Sequence, residues 1–157
     1  MYGKVSDPWK KLIVDPDEAL ADIKPGMSIF LGSGVGEPRT MIRRLMQSEA
    51  PNLQDLELIQ LLSLGDLLSL EELCTQKYRL KTVFQGWVAF DAITTGRVDL
   101  IPYRFSKMPN LVSSGAMRID AGFIQVTPPD EHGYCSLGVS VDVARRIMDR
   151  TPYLIGE

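Results

Sequence analysis

Two glycine-bearing turns hold most of the residues whose types and spacing suit chemistry. The first reads Phe30-Leu31-Gly32-Ser33-Gly34-Val35-Gly36-Glu37-Pro38-Arg39. An apolar run ends, glycines permit tight backbone turns, and the proline suits the first turn of a helix. Glycine lets backbone N–H groups approach a ligand closely, and a helix start carries partial positive charge. Such a loop suits an anion: a carboxylate, a phosphate or a developing oxyanion. It is not a P-loop, because no Lys-Ser or Lys-Thr follows. It is not the dinucleotide fingerprint, because Glu37 and Pro38 stand near the place of the third glycine. Glu37 also puts its own charge at the predicted helix start, which argues against a tightly held phosphate. The plainer alternative is a strand-to-helix turn capped by Glu37.

The second turn lies within Gln125-Val126-Thr127-Pro128-Pro129-Asp130-Glu131-His132-Gly133-Tyr134-Cys135-Ser136-Leu137-Gly138-Val139-Ser140-Val141-Asp142. Its prolines lack N–H donors and stiffen the exit from a strand, and Gly133 suits a backbone angle other residues avoid. Asp130, Glu131 and His132 are an acid-base cluster by type, since a carboxylate tunes a neighbouring imidazole. Equally, they can bond the backbone of their own turn, as aspartate often does. Ser33, Ser136 and Ser140 lack a Gly-x-Ser-x-Gly elbow, and any Ser-His-Asp triad would depend on the single histidine, His132. A third segment runs Gly96-Arg97-Val98-Asp99-Leu100-Ile101-Pro102-Tyr103, followed by Ser106, Met108 and Pro109. By itself it reads as helix end, strand and turn.

The rest of the chain narrows the classes. Its 157 residues suit one domain with a full core. A net charge of -3 and scattered basic pairs at Lys10-Lys11, Arg43-Arg44 and Arg145-Arg146 give no basic surface for nucleic acid or anionic membrane. Trp9, Trp87 and the tyrosines are not interleaved with basic residues, so no stacking platform for single strands is indicated. Cys74 and Cys135 are read as two buried thiols in a reducing cytoplasm. One histidine excludes a histidine-rich metal cluster, and no metal site is expected. No apolar signal core or membrane-spanning run is present.

The elements that must position these turns alternate between strand and helix. Asp15-Pro16-Asp17 has the residues of a helix start, and Pro25-Gly26 stops the helix. Strands are predicted at Met27–Leu31, Leu56–Leu62, Lys81–Gln85, Val98–Ile101, Ile119–Thr127, Tyr134–Ser140 and Pro152–Ile155. Helices are predicted at Pro38–Gln47, Leu67–Thr75, Phe90–Thr95 and Val141–Asp149. The fold class is therefore α/β, a mainly parallel sheet flanked by helices. One antiparallel hairpin is expected near residues 120–140, closed by the Pro128–Gly133 turn.

The long run from Gln125 to Asp142 resembles the signature of the acetyl-CoA hydrolase/transferase family, class I CoA transferases that include 4-hydroxybutyrate and butyryl CoA-transferases. Gly36-Glu37-Pro38 is similar to the Gly-Glu-Pro turn of those proteins. Gly96 to Pro102 is similar to their Gly-Arg-x-Asp-x-x-Pro segment, although Phe90 stands where many members carry an arginine. The resemblance spans about Ala19 to Tyr153 and implies the N-terminal half of such a protein, with a fold shared with sugar-phosphate isomerases. It implies residues 1–157 as a single domain whose catalytic C-terminal half lies elsewhere. It places Gly34, Val35, Gly36, Glu37 and Pro38 near the cleft where the acyl group and CoA react, and no catalytic residue in this chain. The implied reaction moves CoA between an acyl-CoA and a small carboxylate through a glutamyl-CoA thioester. CoA or acyl-CoA is then a substrate, with no permanently bound cofactor. The isolated chain is expected to be inactive, cytoplasmic and homo-oligomeric, and to need the missing half or a partner subunit. The other readings are a non-catalytic acyl-CoA-binding or assembly module, or one subunit of a split enzyme.

Overall fold

The protein is described from a computed structural model. It covers residues 7–63, 77–84, 89–94, 96 and 98–157, with side chains omitted at 7, 8 and 89–91. Six strands form one sheet in the order β4-β3-β2-β1-β5-β6. They are β1 (Ser28–Leu31), β2 (Leu56–Gln60), β3 (Tyr78–Thr82), β4 (Val98–Leu100), β5 (Ala121–Ile124) and β6 (Tyr153–Gly156). Every neighbouring pair is parallel. Helices α1 (Asp7–Lys10) and α2 (Pro16–Ala21) precede β1, and α3 (Arg39–Gln47), α4 (Ala89–Thr94), α5 (Met108–Ser113) and α6 (Ala144–Ile147) lie in the connections between strands.

Alternation along the strands divides the core into two apolar clusters. Ile29, Leu31, Leu56, Leu58, Ala121 and Phe123 pack with residues of α2 and α3. Phe30, Ile59 and Ile124 point the other way and pack with Met108 of α5 and Ala144 and Ile147 of α6. A strand covered on both faces has no solvent side, which is why these runs are continuously apolar. Helix α2 starts as its sequence dictates: the Asp15 carboxylate accepts from the Asp17 N–H at 2.9 Å, and Pro16 opens the first turn. Helix α3 buries Met41, Ile42 and Leu45 and leaves Arg43 and Arg44 exposed. Arg44 pairs with Asp17, joining α3 to α2 at the surface.

Three expectations are corrected. No antiparallel hairpin forms near 120–140. Strand β5 ends at Ile124, and the segment expected as a second strand, Tyr134–Ser140, is irregular. The turn nevertheless closes: Thr127 N–H donates to the Ser136 carbonyl and Asp130 N–H to the Tyr134 carbonyl, at 2.8 and 3.0 Å. Gly133 and Gly138 at positive φ break the extended path before a ladder can grow. The helix expected over Val141–Asp149 is shortened to α6, because Asp142 sits at φ 46°. Cys135 is exposed, not buried, while Cys74 and the helix expected over Leu67–Thr75 lie outside the described residues. Helix α5 was not anticipated; Pro109 sits in its first turn, where a missing N–H costs nothing.

Gly133 has a second role. A Cβ built there would run into the Trp9 ring of α1, and its φ is +86°. Gly133→Ala is therefore expected to destabilise the fold by about 2 kcal/mol, from overpacking and left-handed strain together. Urea unfolding checks this, and Trp9→Ala in the Gly133→Ala background should recover part of the loss by removing the clash.

Candidate active-site crevice

The strand order dictates where a ligand would enter. From β1 the chain runs outward through β2, β3 and β4, then returns to the other side of β1 for β5 and β6. The loops leaving β1 and β5 therefore diverge, and open parallel sheets bind ligands at such a switch point. The glycine-rich loop leaves β1 here and the Pro-Pro turn leaves β5. The two segments that carried chemistry in the sequence thus meet, though 107 residues separate Ser33 from Ser140. A Cβ built on Gly36 would lie 3.1 Å from both Cβ and the carbonyl oxygen of Ser140. The Ser140 hydroxyl donates to the Ser33 carbonyl at 3.4 Å.

Gly34, Val35 and Gly36 form a single 3-10 turn, with Gly34 at φ +61°. The loop is stapled to the exit of β2. Leu61 N–H donates to the Ser33 hydroxyl oxygen at 3.2 Å, and Gly34 N–H to the Leu62 carbonyl at 2.8 Å. Glu37 is turned inward and only 5% exposed. Its Oε1 accepts from the Gln60 side-chain amide at 2.7 Å and from the Ser63 hydroxyl at 2.8 Å. Glu37 therefore does not cap α3, contrary to the plainer reading of the sequence. Pro38 stands at the cap position without a side-chain acceptor, as any proline must. The cap comes from Glu157, whose carboxylate accepts from the N–H groups of Thr40 and Met41 at 3.1 and 2.9 Å.

What remains outward is Val35. Its residue is 69% exposed, and its N–H makes no hydrogen bond to the described residues, whereas those of Gly34, Gly36 and Glu37 all do. Within the 3-10 turn the Val35 N–H is thus a donor at the switch point without a partner among the described residues. Chemically it can hold a carbonyl oxygen or stabilise one that gains negative charge. The helix start, which the sequence suggested for an anion, is taken by Glu157.

The remaining candidates do not assemble a catalytic group. Asp130 Oδ1 accepts from the N–H groups of His132 and Tyr134 at 2.9 and 2.8 Å, so it organises its own turn. His132 and Glu131 are exposed, with 3.6 Å between Nε2 and Oε1. The Ser136 hydroxyl oxygen accepts from Gly138 N–H at 3.0 Å. Asp99 is exposed on β4. Among the described residues no cluster of three or more His, Cys, Asp or Glu side chains could hold a metal. Sequence reasoning missed Gln60, Ser63 and Glu157. Only Glu157 left a trace in the sequence, an acid at the end of an apolar strand.

Asp142 is a further carboxylate near the crevice, two residues beyond Ser140. Its Oδ1 is buried without a hydrogen-bond partner, and burial raises its pKa while the Val143 N–H bond opposes that rise. The raised folded pKa means the native state holds the proton more tightly than the unfolded chain. Its charge therefore costs stability progressively as pH rises from the usual carboxylate value through the folded one, and fully above it. Asp142→Asn is expected to raise the unfolding temperature at pH 7 and to leave it unchanged at pH 3. Asparagine also tolerates the left-handed backbone. Thermal unfolding of both proteins across that range checks the sign.

A six-stranded parallel sheet with a glycine loop at its switch point defines an open-sheet α/β protein. The chain belongs to the acetyl-CoA hydrolase/transferase N-terminal domain family, whose profile matches residues 3–156. It is 28% identical over 149 residues to 4-hydroxybutyrate coenzyme A transferase of Clostridium kluyveri, covering 95% of this chain and 34% of that one. It is 31% identical over 142 residues to a succinyl-CoA:acetate/propanoyl-CoA:succinate CoA transferase of Fasciola hepatica, covering 90% and 29%. The fold matches RipA from Yersinia pestis with a TM-score of 0.76 at 24% identity, over 91% of this chain and 35% of that one. The chain spans about a third of the length of the curated relatives it matches. Among the described residues no helix is long and apolar enough to cross a membrane.

Proposed function

We propose that this chain is the N-terminal half of a CoA transferase or acetyl-CoA hydrolase that moves CoA between an acyl-CoA and a small carboxylate. The reading rests on the Val35 N–H, which has no partner among the described residues and lies in the switch-point loop whose next residue, Gly36, packs against Ser140. Of the five residues Gly34, Val35, Gly36, Glu37 and Pro38, the accessible Gly34 and Val35 face the acyl-CoA, the buried Gly36, Glu37 and Pro38 shape the loop behind them, and Val35 N–H donates to the thioester carbonyl. A glutamate outside this chain attacks that carbonyl, and the C–S bond breaks to release CoA thiolate and leave an acyl-glutamyl anhydride. CoA then attacks the glutamyl carbonyl, releasing the first acid and forming a glutamyl-CoA thioester. The acceptor carboxylate reverses these steps. Each step gathers charge on a carbonyl oxygen, which a fixed backbone donor stabilises without reorganising.

Glu37 and Glu157 are committed to structural hydrogen bonds and Glu131 is not held toward the loop, which supports placing the nucleophile elsewhere. Glu37 is bonded to Gln60 and Ser63, Glu157 to α3, and Glu131 faces solvent. The complete protein carries its second half in the same polypeptide or as a partner subunit, works in the cytoplasm as a homo-oligomer and keeps no bound cofactor.

The test follows CoA exchange between acetyl-CoA and labelled propionate, with mass spectrometry of the trapped glutamyl-CoA peptide. Turnover by the complete protein, with the adduct outside residues 1–157, supports the reading. Turnover by the isolated chain, or an adduct on one of its own glutamates, sinks it. In the complete protein Gly36→Val should lower turnover about tenfold while the fold persists, because its side chain pushes Ser140 from the loop. Parent-like turnover in the folded variant would refute the loop's role.

A further inference from the structure

Glu157 joins three elements that the chemistry above leaves to be aligned. Its N–H donates to the Ile124 carbonyl at 2.9 Å, and its carbonyl accepts from Val126 N–H and the Gln125 side-chain amide, both at 2.8 Å. The residue is thus locked to the exit of β5. From there its carboxylate reaches Thr40 and Met41 N–H, in the first turn of the nine-residue α3. Pro38 offers no side-chain acceptor there, so the residue that fills the cap comes from the far end of the sequence. Pro38 is itself part of that turn, since Ile42 N–H donates to its carbonyl at 3.0 Å. Moving the start of α3 therefore moves Pro38, Glu37 and Gly36.

We propose that Glu157 is a positioning residue for the Val35 donor: an internal anion that fills the start of α3 and fixes the turn before it. This rests on the function proposed above. Two carboxylates then hold the loop from opposite ends. Glu37 ties it to the exit of β2, and Glu157 ties the helix behind it to the exit of β5. The arrangement also sorts the substrate. A phosphate of CoA brought to the start of α3 would meet a like charge already bonded there, so the phosphates lie elsewhere. The uncharged thioester carbonyl suffers no such repulsion at Val35.

The test measures amide hydrogen exchange in the chain and steady-state kinetics in the complete protein, for the parent, Glu157→Ala and Glu157→Gln. Glu157→Ala should speed exchange about tenfold at Thr40 and Met41 and also at Gly34, Gly36 and Glu37, the size of effect a strong cap gives. It should lower kcat about tenfold and leave the KM for acetyl-CoA within about twofold. Glu157→Gln keeps one acceptor oxygen and should fall between the two, and it carries the same measurements if the alanine variant does not fold. Faster exchange confined to Thr40 and Met41, with parent rates through Gly34–Glu37, would reduce Glu157 to a helix cap and overturn the proposal. If the parent transfers no CoA, the proposed function fails, and the exchange rates at Gly34, Gly36 and Glu37 still decide whether Glu157 holds the loop.

Discussion

Val35→Pro should lower CoA transfer by the complete protein about a hundredfold while leaving the fold intact, because it deletes one donor and little else. Loss of a single oxyanion donor typically costs that much in turnover. Proline has no N–H, and the N–H of Val35 bonds nothing in the described structure, so no native hydrogen bond is lost. The residue is 69% exposed, so little packing is lost either. The preceding residue is Gly34, whose missing Cβ eases the crowding that proline imposes on its neighbour. Val35→Ala keeps the donor and is the control, with turnover expected within about threefold of the parent. The two variants should have the same unfolding midpoint. If Val35→Pro and Val35→Ala turn over equally, the donor has no part in the reaction.

Glu37→Ala should destabilise the chain by about 3 kcal/mol, and the complete protein should lose turnover with it. The carboxylate accepts from two donors, Gln60 and Ser63, and its removal strands the Gln60 amide, which is 2% exposed. A hydrogen bond to a charged group contributes about 1.5–3 kcal/mol, and an orphaned buried donor costs about 1–3 kcal/mol. The remaining Gln60 contact, to the Gly32 carbonyl at 3.4 Å, is too long to compensate. Glu37→Gln keeps an oxygen in place and should recover more than half of the stability. Urea unfolding decides between them. An alanine variant within about 0.5 kcal/mol of the parent would mean the carboxylate does not hold the loop to β2.

The pair of variants separates the roles of neighbouring residues. In the proposed reading Val35 acts through its N–H, and its exposed side chain leaves little packing to lose. Glu37 contributes to the fold and, through it, to the aim of Val35. One effect should appear in kcat with stability unchanged, the other in stability first.

Local chemistry explains which parts were legible in the sequence. Asp15-Pro16 and the apolar spacing of Met41, Ile42 and Leu45 act within one or two helical turns, so α2 and α3 stand where expected. The apolar runs of β1, β2 and β4 are bounded by their own turns and fall within a few residues of their predicted places. Strand β3 is displaced toward its N-terminus. Tyr78 pairs with Leu56 and gives its hydroxyl to the Leu45 carbonyl, a long-range gain that local pattern does not contain. The hairpin failed for the opposite reason. Alternating residues around a Pro-Pro turn satisfy a hairpin locally, but Gly133, Gly138 and Asp142 depart from extended backbone, Gly133 lies against the Trp9 ring and Ser140 packs against Gly36 of the β1 loop.

By itself the sequence determined the α/β class, the parallel arrangement of most strands, the place of the glycine loop and the family its motifs resemble. Each follows from periodicity, turn chemistry or contiguous residues. Tertiary structure decided which groups the loop answers to. It turned Glu37 inward to Gln60 and Ser63, brought Glu157 to the start of α3 and left the Val35 N–H without a partner among the described residues. Those partners lie between 23 and 117 residues away in the chain, and they meet because the strand order reverses at β1. A hydrogen bond depends on distance in space, and only the folded sheet sets that distance.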